Sequence, residues 1–328
     1  MVRGPVPDIF PTRRAASLGL LLAGASAARA QSRQRLLLVT GAAGGAFFEY
    51  GPALAQIVAA HAPIDLDVRP TGGSNENIRS VASGEADLGL INMGPAYEAW
   101  EGRPPFAAGG PLRTLRALFP MYETPFGIVA LKRSGIDEVR DLRGKTVGVG
   151  PAGGPGQIFF AGLTKALGME TRVATGSPAD LARRVIDGEI DAFWYGAGTP
   201  VAAFVEVLKQ DGIIFGLAED EIAALRSSFA YFSPYTVPAG AYPGQTAPMK
   251  TAAVWNFVVA SDRMSDETAY GLTKAALDHT AELKALFGPA SGTAAQNVTA
   301  DTFLPLHPGA QRYYVERGVK LPVVLTSL

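Results

Sequence analysis

The chain carries one plan twice. Arg35–Thr40 (RLLLVT) reads as a short buried strand that runs into Gly41-Ala42-Ala43-Gly44-Gly45 and then a helix-like stretch from Phe47 to His61. Thr146–Gly150 (TVGVG) is a second such strand. It runs into Pro151-Ala152-Gly153-Gly154-Pro155-Gly156 and a helix from Gln157 to Leu167. Each unit has a second matching piece. Ser83-Gly84-Glu85-Ala86-Asp87 leads into the strand Leu88–Asn92, and Asp187-Gly188-Glu189-Ile190-Asp191 leads into Ala192–Tyr195. In both, the glycine suits the left-handed position that ends a helix. Strands that alternate with helices imply mostly parallel sheets. The expected class is therefore α/β, with two lobes of related topology flanked by helices.

Phe126–Lys132 (FGIVALK) and Ala253–Ala260 (AVWNFVVA) are the candidates for strands that cross between lobes. On that reading lobe 1 is 31–125 plus 245–328, and lobe 2 is 126–244. The length of 328 residues suits two cores. One helix is expected over Asp266–Phe287 and another over Ala310–Arg317.

Residues 1–30 stand apart from this plan. Arg13 and Arg14 precede an apolar, small-residue run from Ala15 to Ala28, and Ala28-Arg29-Ala30 supplies an A-x-A site. That is the pattern of a cleaved export signal, by the Sec or the twin-arginine route. The expected location is the periplasm.

Open parallel sheets bind ligands beyond the carboxyl ends of their strands. Gly41–Gly45, Thr71-Gly72-Gly73-Ser74 and Gly150–Gly156 fit that place, and each precedes a helix. Free N–H groups and a partial positive charge at a helix start suit a carboxylate. The backbone N–H groups of Gly45, Ala46, Ser74, Asn75 and Gly156 are the candidates for holding it, with Ser74 or Asn75 as N-cap of its helix. Asn92 and Gln157 are candidates for other polar contacts. Phe47, Phe48 and Tyr195 are candidates for an apolar wall. Gly44, Gly73, Gly154 and Thr199 complete the candidate set. Glu49 is read as a first-turn acid, with contact to a ligand ammonium as the alternative, Asp87 and Asp191 as structural, Arg79 as an ion-pair partner of Glu76, and His307 as part of a turn.

The net charge of −1 leaves no basic field for nucleic acid. There is no cysteine, and the three histidines, His61, His279 and His307, show no metal-ligand spacing. No metal and no cofactor are expected. No nucleophile elbow G-x-S-x-G occurs, so an enzyme is a weak alternative. A ligand-sensing module that feeds a receptor is the other alternative.

The run TGAAGGAFFEYG…TGGSNENIRSVASGEADLGLIN resembles the TAXI family of TRAP-transporter substrate-binding proteins. DLRGKTVGVGPAGGPG, DGEIDAFWYGAGTP, VPAGAYPGQ and LPLHPGAQRYY continue the resemblance in family order over about residues 36–316. It implies a type II periplasmic-binding-protein fold, a solute-binding subunit, a small organic acid as ligand and an ion-driven integral membrane permease as partner; the chain is expected to be monomeric. The first loop departs from the family's usual G-G-T-Y-Y-P. Here it reads Gly44-Gly45-Ala46-Phe47-Phe48-Glu49, which removes hydroxyls and adds apolar area. In the second loop Pro155 has no N–H to offer. The expected ligand keeps a carboxylate but has a larger apolar body than glutamate.

Overall fold

Apolar runs broken by Gly, Pro and Asp divide the chain into short strands and helices. A computed structural model describes residues 1, 2, 4, 33–43, 45–300 and 303–326. The expected export signal falls almost wholly outside the described residues, as does Gly44. The first half runs β1 (Gln34–Val39), α1 (Ala46–His61), β2 (Ile64–Arg69), α2 (Ser74–Ser83), β3 (Leu88–Asn92), α3 (Met93–Glu101) and β4 (Leu115–Leu131). The second runs β5 (Thr146–Gly148), α4 (Pro155–Ala166), β6 (Arg172–Ala174), α5 (Pro178–Ile186), β7 (Ala192–Gly196), α6 (Ala202–Leu208), β8 (Gly212–Phe215) and α7 (Glu219–Ser228). β9 (Ser233–Val237), β10 (Met249–Ser261), α8 (Asp266–Asp278), α9 (Thr280–Leu286) and α10 (Pro308–Glu316) follow.

The strand order is β2-β1-β3-β10-β4-β7-β5-β6, with β8 on β4 and β9 on β10. β1 pairs parallel with β2 and β3, and β5 pairs parallel with β6 and β7. Each half thus has the order 2-1-3, as the repeated plan requires. β4 and β10 run antiparallel between the two groups, and all of β3 and nearly all of β4 are buried. This is the expected α/β class, with two mostly parallel groups, flanking helices and two crossing strands. The expected boundary at residues 125–126 falls inside β4, where its pairing passes from β10 to β7.

The doubled acidic turn is structural in both halves. Gly84 and Gly188 take positive φ, 84° and 77°, a region where a Cβ would be strained. The Leu37 N–H donates to Asp87 Oδ2 at 2.7 Å, and the Thr146 N–H donates to Asp191 Oδ2 at 2.8 Å. Each aspartate therefore ties the entry of its own strand to the neighbouring strand.

Three local expectations are corrected. The helix expected over Asp266–Phe287 is broken at His279 (φ −118°, ψ 30°), where the Thr280 hydroxyl turns back to the Leu277 carbonyl. Arg79 is not bonded to Glu76. It donates to the Asn75 and Pro105 carbonyls and lies over the Phe106 ring. The Glu76 carboxylate instead accepts the Gly72 N–H. The N-cap of α2 is Gly73, not Ser74 or Asn75, because the Ser74 hydroxyl is occupied by the Asn92 N–H at 3.0 Å. His307 caps α10, with its Nδ1 accepting the Gly309 N–H.

Candidate functional site

Strand register brings the two sets of loops together. The end of β3 is set by Asn92 opposite Asn256, and the end of β7 by Gly196 opposite Phe126. Asn256 in turn donates to the Tyr122 carbonyl and the Thr124 hydroxyl. The carboxyl ends of both parallel groups therefore face the short stretch Tyr122–Phe126 of β4. The loops after β1, β2, β3, β5 and β7 all leave from these ends. The Gly198 position lies beside Ala46, Phe287 and Pro289, so the loop after β7 reaches the start of α1.

The first half contributes two helix starts. α1 begins at Ala46 with Gly45 as N-cap and no side-chain cap. Gly45 spends its own N–H on the Ala42 carbonyl, so the N–H groups of Ala46 and Phe47 are the ones presented. α2 begins at Ser74, with Asn75 in the same first turn. Below this loop a buried network holds the backbone. The Asn77 amide donates to the carbonyls of Thr40 and Leu90, both at 2.6 Å, and accepts from the Thr71 hydroxyl at 2.6 Å. Asn77 is fully buried. It connects β1, β3 and the Gly-rich loop in one residue.

The second half contributes the start of α4. Gly154 is the N-cap and Pro155 the first residue, so Gly156 and Gln157 carry the N–H groups of that turn. A Cβ at Gly156 would lie 2.7 Å from the Val149 carbonyl oxygen, which explains a glycine here. Gln157 Oε1 accepts the Gly153 N–H at 2.7 Å, as Glu76 does for Gly72 at 2.8 Å. The two loops are latched in the same way, from the residue four positions on.

Aromatic rings line the junction. Phe47 stands 6.5 Å edge-on to Tyr122, which also contacts Tyr50 and Phe287. Phe48 is exposed at 37%. Tyr195 is half-buried, lies against Gly150 and Gly156, and stacks on Phe193. Burial raises its hydroxyl pKa. Trp194 is core instead: it is fully buried, stacks on Phe126 and donates Nε1–H to the Gly156 carbonyl. Thr199 lies beside Tyr242, whose hydroxyl accepts the Val201 N–H.

Asn92 is turned inward. Its Oδ1 caps α3 through the Gly94 N–H and its Nδ2 donates to Asn256. Two tyrosines absent from the sequence reading matter more. The hydroxyls of Tyr122 and Tyr231 are buried without a hydrogen-bond partner among the described residues. Tyr122 lies at the middle of β4, and the Tyr231 ring reaches Gly94 at the start of α3. Burial pushes both hydroxyls far up, with Glu49 adding to the rise at Tyr122 and Glu98 to that at Tyr231. Both are neutral O–H donors. A buried donor without an acceptor is costly and marks a place where one is expected. No local sequence signal distinguishes Tyr122 or Tyr231 from core aromatics.

A surface depression lined by Asp137, Arg140, Phe215, Glu221, Gln245 and Lys250 contains none of the candidate residues. The junction, with its orphan donors and helix starts, has the chemistry of a binding site. In the depression Arg140 pairs with the exposed Asp220 and with the buried Glu221.

Comparison with known proteins bears on the family and the fold. The model of the NMT1-like family matches residues 38–318. Among solved structures, an ancestral arginine-binding protein bound to arginine is 14% identical, covers 80% of this chain and 100% of its own, and has a TM-score of 0.52. A histidine kinase sensor domain with similarity to periplasmic binding proteins is 15% identical over 80% of this chain and 98% of its own, with a TM-score of 0.51. A protein of glutathione import in Gram-positive bacteria, from Streptococcus mutans, is 14% identical over 80% and 96%, with a TM-score of 0.50. The shared feature is the periplasmic-binding-protein fold. No helix of the described residues is long and apolar enough to cross a membrane.

Proposed function

The chain belongs to the NMT1-like family, and from that premise we propose that it is a periplasmic solute-binding protein of the TAXI type, exported by a cleaved signal at residues 1–30. It captures a small organic acid between two lobes, 31–125 with 245–328 and 126–244, and delivers it as a monomer to an ion-driven membrane permease. The observation that carries this reading is the Tyr122 hydroxyl, buried without an acceptor among the described residues, beside Phe47 in the first turn of α1, where the loop after β7 also reaches Ala46. A ligand carboxylate supplies that acceptor and sits favourably at a helix N-terminus.

The ligand keeps a carboxylate and has a larger apolar body than glutamate. Phe47, Phe48 and Tyr195 suit the apolar part. The N–H groups of Ala46, Phe47, Ser74, Asn75, Gly156 and Gln157 suit the carboxylate. Closure pivots where β4 and β10 pass between the parallel groups, and contacts from both lobes stabilise the closed state. The fold likeness to an arginine-binding protein fits solute capture, and the likeness to a sensor domain keeps a receptor-feeding role as the second reading.

Mass spectrometry of the native protein identifies any acid that copurifies. A thermal-shift panel then compares branched and aromatic monocarboxylic acids with glutamate and 2-oxoglutarate. The expected result is the larger upward shift for the former and compaction in solution scattering. Tighter binding of the dicarboxylates overturns the ligand assignment. Turnover of the bound acid overturns the binding-protein reading.

A further inference from the structure

The fold brings two of the three histidines into stacking contact, far from the junction. His61 is the last residue of α1, His279 is the break between α8 and α9, and Glu282 is in the first turn of α9. The imidazole rings are parallel within 7°, with centroids 3.3 Å apart. One carboxylate serves both. His61 Nε2 lies 2.9 Å from Glu282 Oε2, and His279 Nδ1 lies 2.9 Å from Glu282 Oε1. Among the described residues this is the one group of three such side chains whose ligand atoms converge, all within 4.8 Å of one another. The side chains are 25%, 30% and 54% exposed, so solvent reaches the group.

We propose that His61, His279 and Glu282 form a surface site for a divalent transition-metal ion of the zinc class. Two imidazole nitrogens and a carboxylate oxygen are a donor set such ions prefer, and a water molecule completes a tetrahedron. Ligand atoms about 2.0 Å from a tetrahedral ion stand about 3.3 Å apart. The two 2.9 Å contacts go to different carboxylate oxygens and the three ligand atoms lie within 4.8 Å of one another, so binding an ion needs the stacked rings to splay, which turns both lone pairs inward. All three residues lie at helix ends or in a first turn and are partly exposed, so this movement does not disturb a packed core. In the bound state each neutral ring gives one nitrogen lone pair to the ion, from His61 Nε2 and His279 Nδ1, and carries its proton on the other, His61 Nδ1 and His279 Nε2.

The ion staples α1 to α9. α1 is 16 residues long, so His61 lies about 22 Å from Ala46 along the helix. Tyr50 on α1 hydrogen-bonds Thr293, and Thr293 donates to the Met121 carbonyl beside Tyr122. Thr280 donates to the Thr293 carbonyl from the start of α9. The staple therefore holds the far end of the same frame that carries Tyr122, without contact to the junction.

Untagged, chelator-stripped protein titrated with Zn²⁺ in a calorimeter tests the site. One ion per chain is expected, with an upward shift in melting temperature. His61→Ala and His279→Ala are each expected to weaken binding by at least about tenfold, in line with the loss of a coordinating group, and Glu282→Gln to weaken it as well. Cobalt(II) bound to the wild-type protein is expected to give the visible absorption of a four-coordinate ion, a readout that needs no variant to fold. The absence of a one-to-one isotherm overturns the proposal. So does unchanged affinity in the double variant His61→Ala/His279→Ala, or a cobalt spectrum of the fully hydrated ion. Binding of organic acid is a separate measurement, so failure of either proposal leaves the other standing.

Discussion

The two strand–loop–helix halves share a frame and differ in what they present. Both tie a strand entry with an aspartate, Asp87 or Asp191, and both latch their loop with a side chain four residues on, Glu76 or Gln157. The first half then builds a polar base, with Asn77 spanning Thr40, Thr71 and Leu90. The second half builds an apolar one, with Trp194 stacked on Phe126 beneath Gly156. The first half also offers two helix starts against one, and the one begins with Pro155. On the proposed reading the repeated frame sets where a ligand sits, and the unequal bases set which end of it faces which half.

Variants can break this contrast. Asn77→Ala is expected to have the largest effect, about 3 kcal/mol of destabilisation in chemical denaturation, because it leaves buried partners unpaired. A loss under about 1 kcal/mol would mean that the polar base is not what holds the first half. Trp194→Phe removes one hydrogen bond and leaves a small cavity, at about 2 kcal/mol. Its effect tests the apolar base in the same assay. Asp87→Ala and Asp191→Ala are expected to cost about 1 kcal/mol each. Unequal values would show that the repeat is geometric but not energetic. Tyr122→Phe is expected to leave stability unchanged or slightly higher, since it deletes a buried donor that has no partner. It is also expected to weaken acid binding about tenfold, the equivalent of about 1.4 kcal/mol. Full retention of copurified acid in that variant would remove Tyr122 from the site.

The frame was legible because its signals are local. Gly84 and Gly188 sit at left-handed positions that few other residues tolerate, and the Gly-rich runs announce helix starts. The crossing strands were legible as long apolar runs. Local signals also misled. Ser74 reads as an N-cap, but its hydroxyl is claimed by Asn92, 18 residues away. Glu76 and Arg79 have the right spacing to pair, yet each has a better partner in the loop beside it.

What the sequence determined by itself is the repeated α/β plan and the loops at the strand ends, because backbone conformation and apolar period depend on near neighbours. What only the tertiary structure decided is which side chains meet. Asn256 reaches Tyr122 across 134 residues, and His61 reaches Glu282 across 221. Such meetings depend on how β4 and β10 align the two halves and how α1 lies on α8 and α9, and no spacing along the chain encodes that packing.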